Sequence, residues 1–204
     1  MAEQTILVVD DDEAFRASLA VLLKSAGYAA DTYSSGPAFL DVCEDVSGAC
    51  LLLDVRMPMM SGLEVQEVLK SKRPGLPVIM ITGHGDVPMA VRALKSGAVD
   101  FIEKPFRDNE LLEGIDRAIA LPRAAASGAN AELRSKIDRL SPREREVLEQ
   151  LVIGRPNKII AYELGISPRT TEIHRARVME KMGAESLSHL VRMALAAGID
   201  PEPV

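Results

Sequence analysis

Short apolar runs alternate with helical stripes over the first 120 residues. Thr5-Ile6-Leu7-Val8-Val9, Ala49-Cys50-Leu51-Leu52-Leu53, Pro77-Val78-Ile79-Met80-Ile81 and Val99-Asp100-Phe101-Ile102 are each bounded by turn residues. Unbroken apolar runs of this length read as strands buried on both faces. Between them, Phe15, Leu19, Leu22, Leu23 and Ala26 mark one helical stripe, Val87, Val91 and Leu94 a second, and Leu111, Leu112, Ile115 and Ile119 a third. A weaker strand at 29–32 and a helix at 37–43 complete five β/α units, which predicts a parallel sheet with helices on both faces.

The pattern changes after residue 120. Leu121 to Asn130 is rich in small residues, contains Pro122 and Gly128, and shows no stripe, so it reads as a linker. Leu133, Ile137 and Leu140 space a short helix. From Ser141 onward only helical patterns occur. Ser141-Pro142 with Glu144 has the form of an N-cap, a first-turn proline and a capping-box acid, and Ser167-Pro168 repeats the cap and proline. The expected division is 1–120, a linker at 121–136, and a four-helix module at 137–204.

Composition supports two small globular domains. The 204 residues are 47% hydrophobic, 26% charged and 3% aromatic, which excludes a disordered or collagen-like chain. No apolar run approaches the roughly 18 residues of a spanning helix, and the first residues lack a secretory signal. The two cysteines, Cys43 and Cys50, lack metal-site spacing. A cytoplasmic protein is expected. The net charge of −6 hides a split: residues 1–120 carry 19 acidic and 11 basic side chains, and residues 121–204 carry 11 and 13. Different partners for the two parts follow.

Ligands of open parallel sheets bind beyond the carboxyl ends of the strands. The residues there are Asp10, Asp11, Asp12 and Glu13, then Asp54, then Thr82-Gly83-His84-Gly85, then Glu103-Lys104-Pro105. Converging carboxylates repel unless a cation compensates them, and hard oxygen donors suit Mg²⁺. Asp54, alone at its strand end, is the natural nucleophile for a phosphoryl group. Thr82 can hydrogen-bond a phosphoryl oxygen, and Lys104 can pair with it. Any one of these acids alone is as well explained as a helix cap; the set in strand order is not.

Val9-Asp10-Asp11-Asp12-Glu13, Leu53-Asp54-Val55-Arg56-Met57-Pro58-Met59-Met60-Ser61-Gly62, Thr82-Gly83-His84 and Lys104-Pro105-Phe106 resemble the receiver domain of two-component response regulators. The resemblance implies a flavodoxin-like, doubly wound five-stranded sheet and phosphorylation of Asp54 by a sensor histidine kinase. It implies Mg²⁺ held by Asp10, Asp11, Asp54 and the Arg56 carbonyl, and a switch in which Thr82 and Phe101 rearrange. Asp12 is then an extra carboxylate, solvated or capping the next helix. A phosphatase of the haloacid-dehalogenase kind needs a second acid two residues after the nucleophile, where this chain has Arg56. An enzyme is therefore not expected.

In the second half, 100° per residue from Pro168 to Met182 places Thr171, Val178 and Met182 on one side, the core side. Arg169, Glu172, Ile173, Ala176, Arg177 and Glu180 fall opposite, with Thr170 and Lys181 at the margin. Arg and Lys suit phosphates or guanine, and Ile and Ala suit thymine methyls, so this face fits a major groove. His174, at its flank, is either a phosphate contact or a packed histidine. Between Ser141 and Arg192 nine basic residues face seven acidic ones, so affinity must come from local placement and from dimers.

Leu140-Ser141-Pro142-Arg143-Glu144-Arg145-Glu146-Val147-Leu148, Pro156-Asn157-Lys158-Ile159-Ile160-Ala161, Leu164-Gly165-Ile166-Ser167 and Arg169 to His174 with Lys181-Met182 resemble the all-α, four-helix LuxR-type helix-turn-helix. Ile159 departs from the acid usual after the Asn-Lys pair, and Thr171 from the usual valine. The order of domains, with Gly83 to Val91, Phe101 to Phe106 and Ser167 to Thr170, is similar to the FixJ branch of the NarL-like regulators. That similarity implies a transcription activator of low-oxygen and nitrogen-fixation genes, with a FixL-like kinase, promoter DNA and RNA polymerase as partners and a homodimer formed on phosphorylation. Regulators of aromatic catabolism share much of the pattern, and a protein- or RNA-binding output is the remaining alternative.

Overall fold

The computed structural model describes residues 4–83, 87–124 and 129–201. Five strands, β1 (Thr5–Val9), β2 (Ala29–Tyr33), β3 (Cys50–Asp54), β4 (Val78–Thr82) and β5 (Asp100–Glu103), form one parallel sheet in the order β2-β1-β3-β4-β5. The helices between and after them are α1 (Glu13–Ser25), α2 (Gly36–Leu40), α3 (Gly62–Lys72), α4 (Val87–Lys95) and α5 (Asp108–Ala124). The expected strands are all present. Their ends shift because polar residues continue the ladder: Asp54 pairs in register with Ile81, and Thr82 with Glu103.

β3 and β4 are buried at every position, as runs covered on both faces require. One core cluster joins Ile6, Val8, Leu52, Ile79 and Ile81 of the sheet to Leu19 and Leu23 of α1 and Leu111 and Ile115 of α5. β2 is an edge strand with Asp31 and Thr32 exposed, which accounts for its weak apolar signal. Helix α3 goes beyond the expected pattern. Ser61 caps it, accepting from the Glu64 N–H while the Glu64 carboxylate accepts from the Ser61 N–H, a closed capping box.

The described residues after Ala120 are helical where the sequence pattern predicts a linker. Leu121 to Ala124 continue α5, and Ala129 to Asp138 form α6; residues 125–128 lie outside the described part. Alanine carries the highest intrinsic helix propensity, so a segment without an apolar stripe still coils. Four further helices follow: α7 (Pro142–Ile153), α8 (Asn157–Glu163), α9 (Pro168–Met182) and α10 (Leu187–Ala196). Their shared core holds Val147, Leu148 and Leu151 of α7, Ile160 of α8, Val178 and Met182 of α9, and Leu190 of α10.

Among the described residues two compact units result, 4–83 with 95–124, and 87–94 with 129–201. Among the described residues no helix is long and apolar enough to cross a membrane. Both cysteines are buried and unpaired with each other.

Candidate functional site

Parallel strands place their carboxyl ends at one edge, and there the side chains of Asp10, Asp54 and Lys104 come together. Asp10 follows β1, Asp54 ends β3, and both are buried, at 2% and 6% exposure. Lys104, after β5, reaches back between them. Its ammonium donates to Asp10 Oδ2 at 2.7 Å and to Asp54 Oδ1 at 2.9 Å. The Lys104 backbone N–H donates to the Thr82 carbonyl at 2.7 Å, so β4 sets the position of the lysine, and the Lys104–Pro105 peptide is cis. Thr82 itself is fully buried, and Phe101 is half-buried on β5.

The remaining oxygens are held by backbone. Asp54 Oδ2 accepts from the Arg56 N–H at 2.6 Å, and Asp10 Oδ1 from the Asp12 N–H at 2.9 Å. Asp12 is the N-cap of α1, accepting from the Phe15 N–H. Of the two readings left open for this acid, the structure shows the cap. Asp11 is exposed, as is the Arg56 side chain. His84 lies outside the described residues.

Burial pushes the Asp54 carboxyl above its ordinary value of 3.8 and the Asp10 charge adds to this, while Lys104 and the Arg56 N–H pull the other way. Burial also opposes the Lys104 ammonium. Hydrogen bonds and charge from Asp10 and Asp54 outweigh it, so its pKa rises. Two carboxylates thus share one cation, with Asp11 nearby in sequence, an excess of negative charge that favours a further cation. Each Asp10 and Asp54 oxygen accepts one of these bonds and keeps a second lone pair, so the donors fit a hard divalent ion. Among the described residues no three acidic, histidine or cysteine side chains stand ready as an ion cage.

The second candidate surface lies on α9. Thr171, Val178 and Met182 are buried, as the periodicity predicts. Arg169, Glu172, Ile173, Ala176, Arg177 and Glu180 are exposed, and the first, second, third and fourth of these line an open concavity. Ser167 caps the helix, accepting from the Thr170 N–H at 3.1 Å, and its own hydroxyl lies 2.8 Å from that of Thr170. The Thr171 hydroxyl donates to the Ser167 carbonyl at 3.3 Å, which satisfies the buried oxygen introduced where valine is usual. His174 is half-buried with an enclosed Nδ1 that has no hydrogen-bond partner among the described residues. Lys181 donates to the buried Glu144 carboxylate at 2.6 Å and to the Arg139 carbonyl at 3.4 Å. The local pattern marks Glu144 only as a cap, because its partner Lys181 lies 37 positions away.

One feature of the β3–α3 loop is strained. Met59 is 89% exposed with φ of 69°, a left-handed conformation that costs a non-glycine residue about 1 kcal/mol. Met59→Gly is expected to raise the thermal midpoint by a few degrees. An unchanged or lower midpoint in a melting scan would show that the side chain contributes more than its backbone costs.

A parallel α/β receiver followed by a helical helix-turn-helix domain is a defined class of protein. The sequence pattern of the family described as response regulator receiver domain matches residues 6–116, and that of bacterial regulatory proteins, luxR family, matches residues 138–194. The chain belongs to the response regulators that carry a LuxR-type output domain. It is 52% identical to the transcriptional regulatory protein FixJ of Rhizobium meliloti over 204 residues, covering 98% of this chain and all of that one. It is 45% identical to the response regulator protein TodT of Pseudomonas putida, covering 92% and 84%. Full-length FixJ from B. japonicum is similar in structure, with a TM-score of 0.58 at 47% identity over 98% of this chain and 99% of that one. The chain is a FixJ-like response regulator and transcription factor, not an enzyme. Receiver domains typically bind Mg²⁺ for phosphorylation and imply a histidine kinase partner, and a LuxR-type helix-turn-helix implies DNA binding.

Proposed function

We propose that Asp54 accepts a phosphoryl group from a sensor histidine kinase, and that the phosphorylated chain dimerises through its receiver and activates transcription in the cytoplasm. The observation that carries this reading is the Lys104 ammonium shared between two buried carboxylates at the strand ends. Mg²⁺, held by Asp10, Asp11, Asp54 and the Arg56 carbonyl, would neutralise charge on the transferred group. In the transfer, an Asp54 carboxylate oxygen bonds to phosphorus. The bond from phosphorus to the donor histidine nitrogen breaks, its electron pair staying on the imidazole. The Arg56 N–H orients the carboxylate beforehand. Lys104 then follows the negative charge from the carboxylate to a phosphoryl oxygen, Thr82 hydrogen-bonds that group, and Phe101 turns inward behind it.

The output face proposed is Arg169, Thr170, Glu172, Ile173, His174, Ala176, Arg177 and Lys181 in a major groove, two copies reaching successive grooves about one turn apart. Lys181 contributes less than its neighbours, because Glu144 already holds its charge. Full-length similarity to FixJ favours control of low-oxygen and nitrogen-fixation genes with a FixL-like kinase and RNA polymerase as partners. Similarity to TodT at 45% identity keeps control of aromatic catabolism as the second reading.

Wild-type chain given acetyl phosphate and Mg²⁺ is expected to take up one phosphoryl group, dimerise, and tighten on its promoter. Asp54→Asn is expected to do none of these. A variant that dimerised and bound like wild type would overturn the reading.

A further inference from the structure

The Lys104 ammonium has a third contact that the phosphoacceptor chemistry leaves unexplained. It stands over the face of the Phe15 ring, 3.7 Å from the centroid. A ring face carries the negative lobe of the aromatic quadrupole and attracts a cation, more strongly where water is excluded. The backbone that carries the ring is fixed, and so is one edge of the ring. The Phe15 N–H donates to Asp12 Oδ1 at 3.0 Å, which pins the first turn of α1. The ring also meets Phe106 edge to face, with centroids 6.1 Å apart and planes at 78°, and Phe106 lies two residues beyond Lys104. The loop after β5 thus supplies both the cation and the side wall of the ring beneath it.

An ordinary core role does not account for this contact. Phe15 belongs to the apolar stripe of α1 and is only partly buried against the core; leucine fills such a position equally well. Leucine has no quadrupole to hold an ammonium. Lysine is a compact charge on a flexible four-carbon stem, and two hydrogen bonds alone leave it free to swing toward solvent on its open side. We propose that Phe15 is a positioning residue for phosphoryl transfer: its ring face keeps the Lys104 ammonium beside Asp54 before and after the phosphoryl group arrives. The role rests on the reading of Asp54 as phosphoacceptor. With acetyl phosphate, an Asp54 oxygen bonds to phosphorus while the phosphorus–oxygen bond to acetate breaks and acetate leaves with the electron pair. Lys104 must be in place to meet the charge on the phosphoryl oxygens during that exchange.

The test uses the full chain with acetyl phosphate and Mg²⁺. Phe15→Leu keeps the apolar volume and removes the quadrupole, whereas Phe15→Tyr keeps the ring. Phosphorylation is expected to slow about fivefold in Phe15→Leu and to stay within about twofold of wild type in Phe15→Tyr. In a Lys104→Gln background, Phe15→Leu is expected to change the rate by less than about twofold. The Lys104 ε-methylene protons are expected upfield of an ordinary lysine in wild type and at the ordinary position in Phe15→Leu, read by NMR without phosphodonor. Equal rates in wild type and Phe15→Leu, the same loss in the Lys104→Gln background, or an ordinary ε-methylene shift in wild type would each overturn the role. A wild-type chain that takes up no phosphoryl group would overturn the phosphoacceptor reading and this role with it, and is distinguished because the upfield shift remains.

Discussion

Gly62→Ala is expected to destabilise the receiver by about 3 kcal/mol and to slow phosphorylation at Asp54. Gly62 is the first residue of α3, and its N–H donates to the Val55 carbonyl at 3.0 Å. A Cβ there would lie 2.2 Å from the Asp54 carbonyl oxygen, 3.0 Å from the Asp54 carbonyl carbon and 3.1 Å from Val55 Cα. All three are backbone atoms of β3 and its exit, so no side chain can turn away to make room. Alanine would otherwise gain up to about 1 kcal/mol of helix propensity, less at a first-turn position, so the clash decides the sign. Relief requires α3 to withdraw from the sheet, which loosens Val65 and Leu69 in the core and shifts the residue that carries the nucleophile. A fall of roughly 10 °C in the thermal midpoint is the expected readout, together with slower uptake from acetyl phosphate. A melt and a rate equal to wild type would show that α3 tolerates the displacement.

Much of this arrangement was legible because parallel strands covered on both faces leave a strong mark, and because residues just past each strand must meet at one edge. Asp10, Asp54, Thr82 and Lys104 all lie where that rule puts them. Asp11 sits in the same run of acids but is exposed where Asp10 is buried, a difference that a run of four acids does not show. Helix α3 left little mark: its inner face includes the buried polar Gln66, whose amide donates to the Ser96 carbonyl at 3.1 Å. Lys70 and Lys72 crowd the same helix. At Arg56 the sequence drew attention to the carbonyl, whereas the structure shows the N–H engaged with Asp54. Backbone hydrogen bonds of a loop have no composition to read. The Phe15 contact with Lys104 spans 89 positions and two loops, so only the closed sheet brings it into view.

The capping box of α7 is expected to give an asymmetric response to losing either partner of its ion pair. Glu144 is buried at 4% side-chain exposure and Lys181 is 39% exposed. Hydrogen bonds from Lys181 and from the Ser141 N–H bring the Glu144 carboxyl down from 4.5 to about 2. Removing the cation with Lys181→Met leaves a buried carboxylate with only its cap donors, a loss of about 3 kcal/mol at pH 7. Glu144→Gln keeps an acceptor for the cap and lets the half-exposed lysine turn into water, so about 1 kcal/mol is expected. The pH dependence has a definite sign. A depressed folded pKa contributes stability that is present above 4.5 and is lost as pH falls from there through about 2. Wild type should therefore lose stability over that interval more steeply than Lys181→Met, whose carboxylate has less to lose on protonation. Urea unfolding of the full chain between pH 7 and pH 3, followed by helical circular dichroism, reads both effects. Equal losses in the two variants, or parallel acid profiles, would mean that the cap alone stabilises this helix and that Lys181 is free to meet a phosphate.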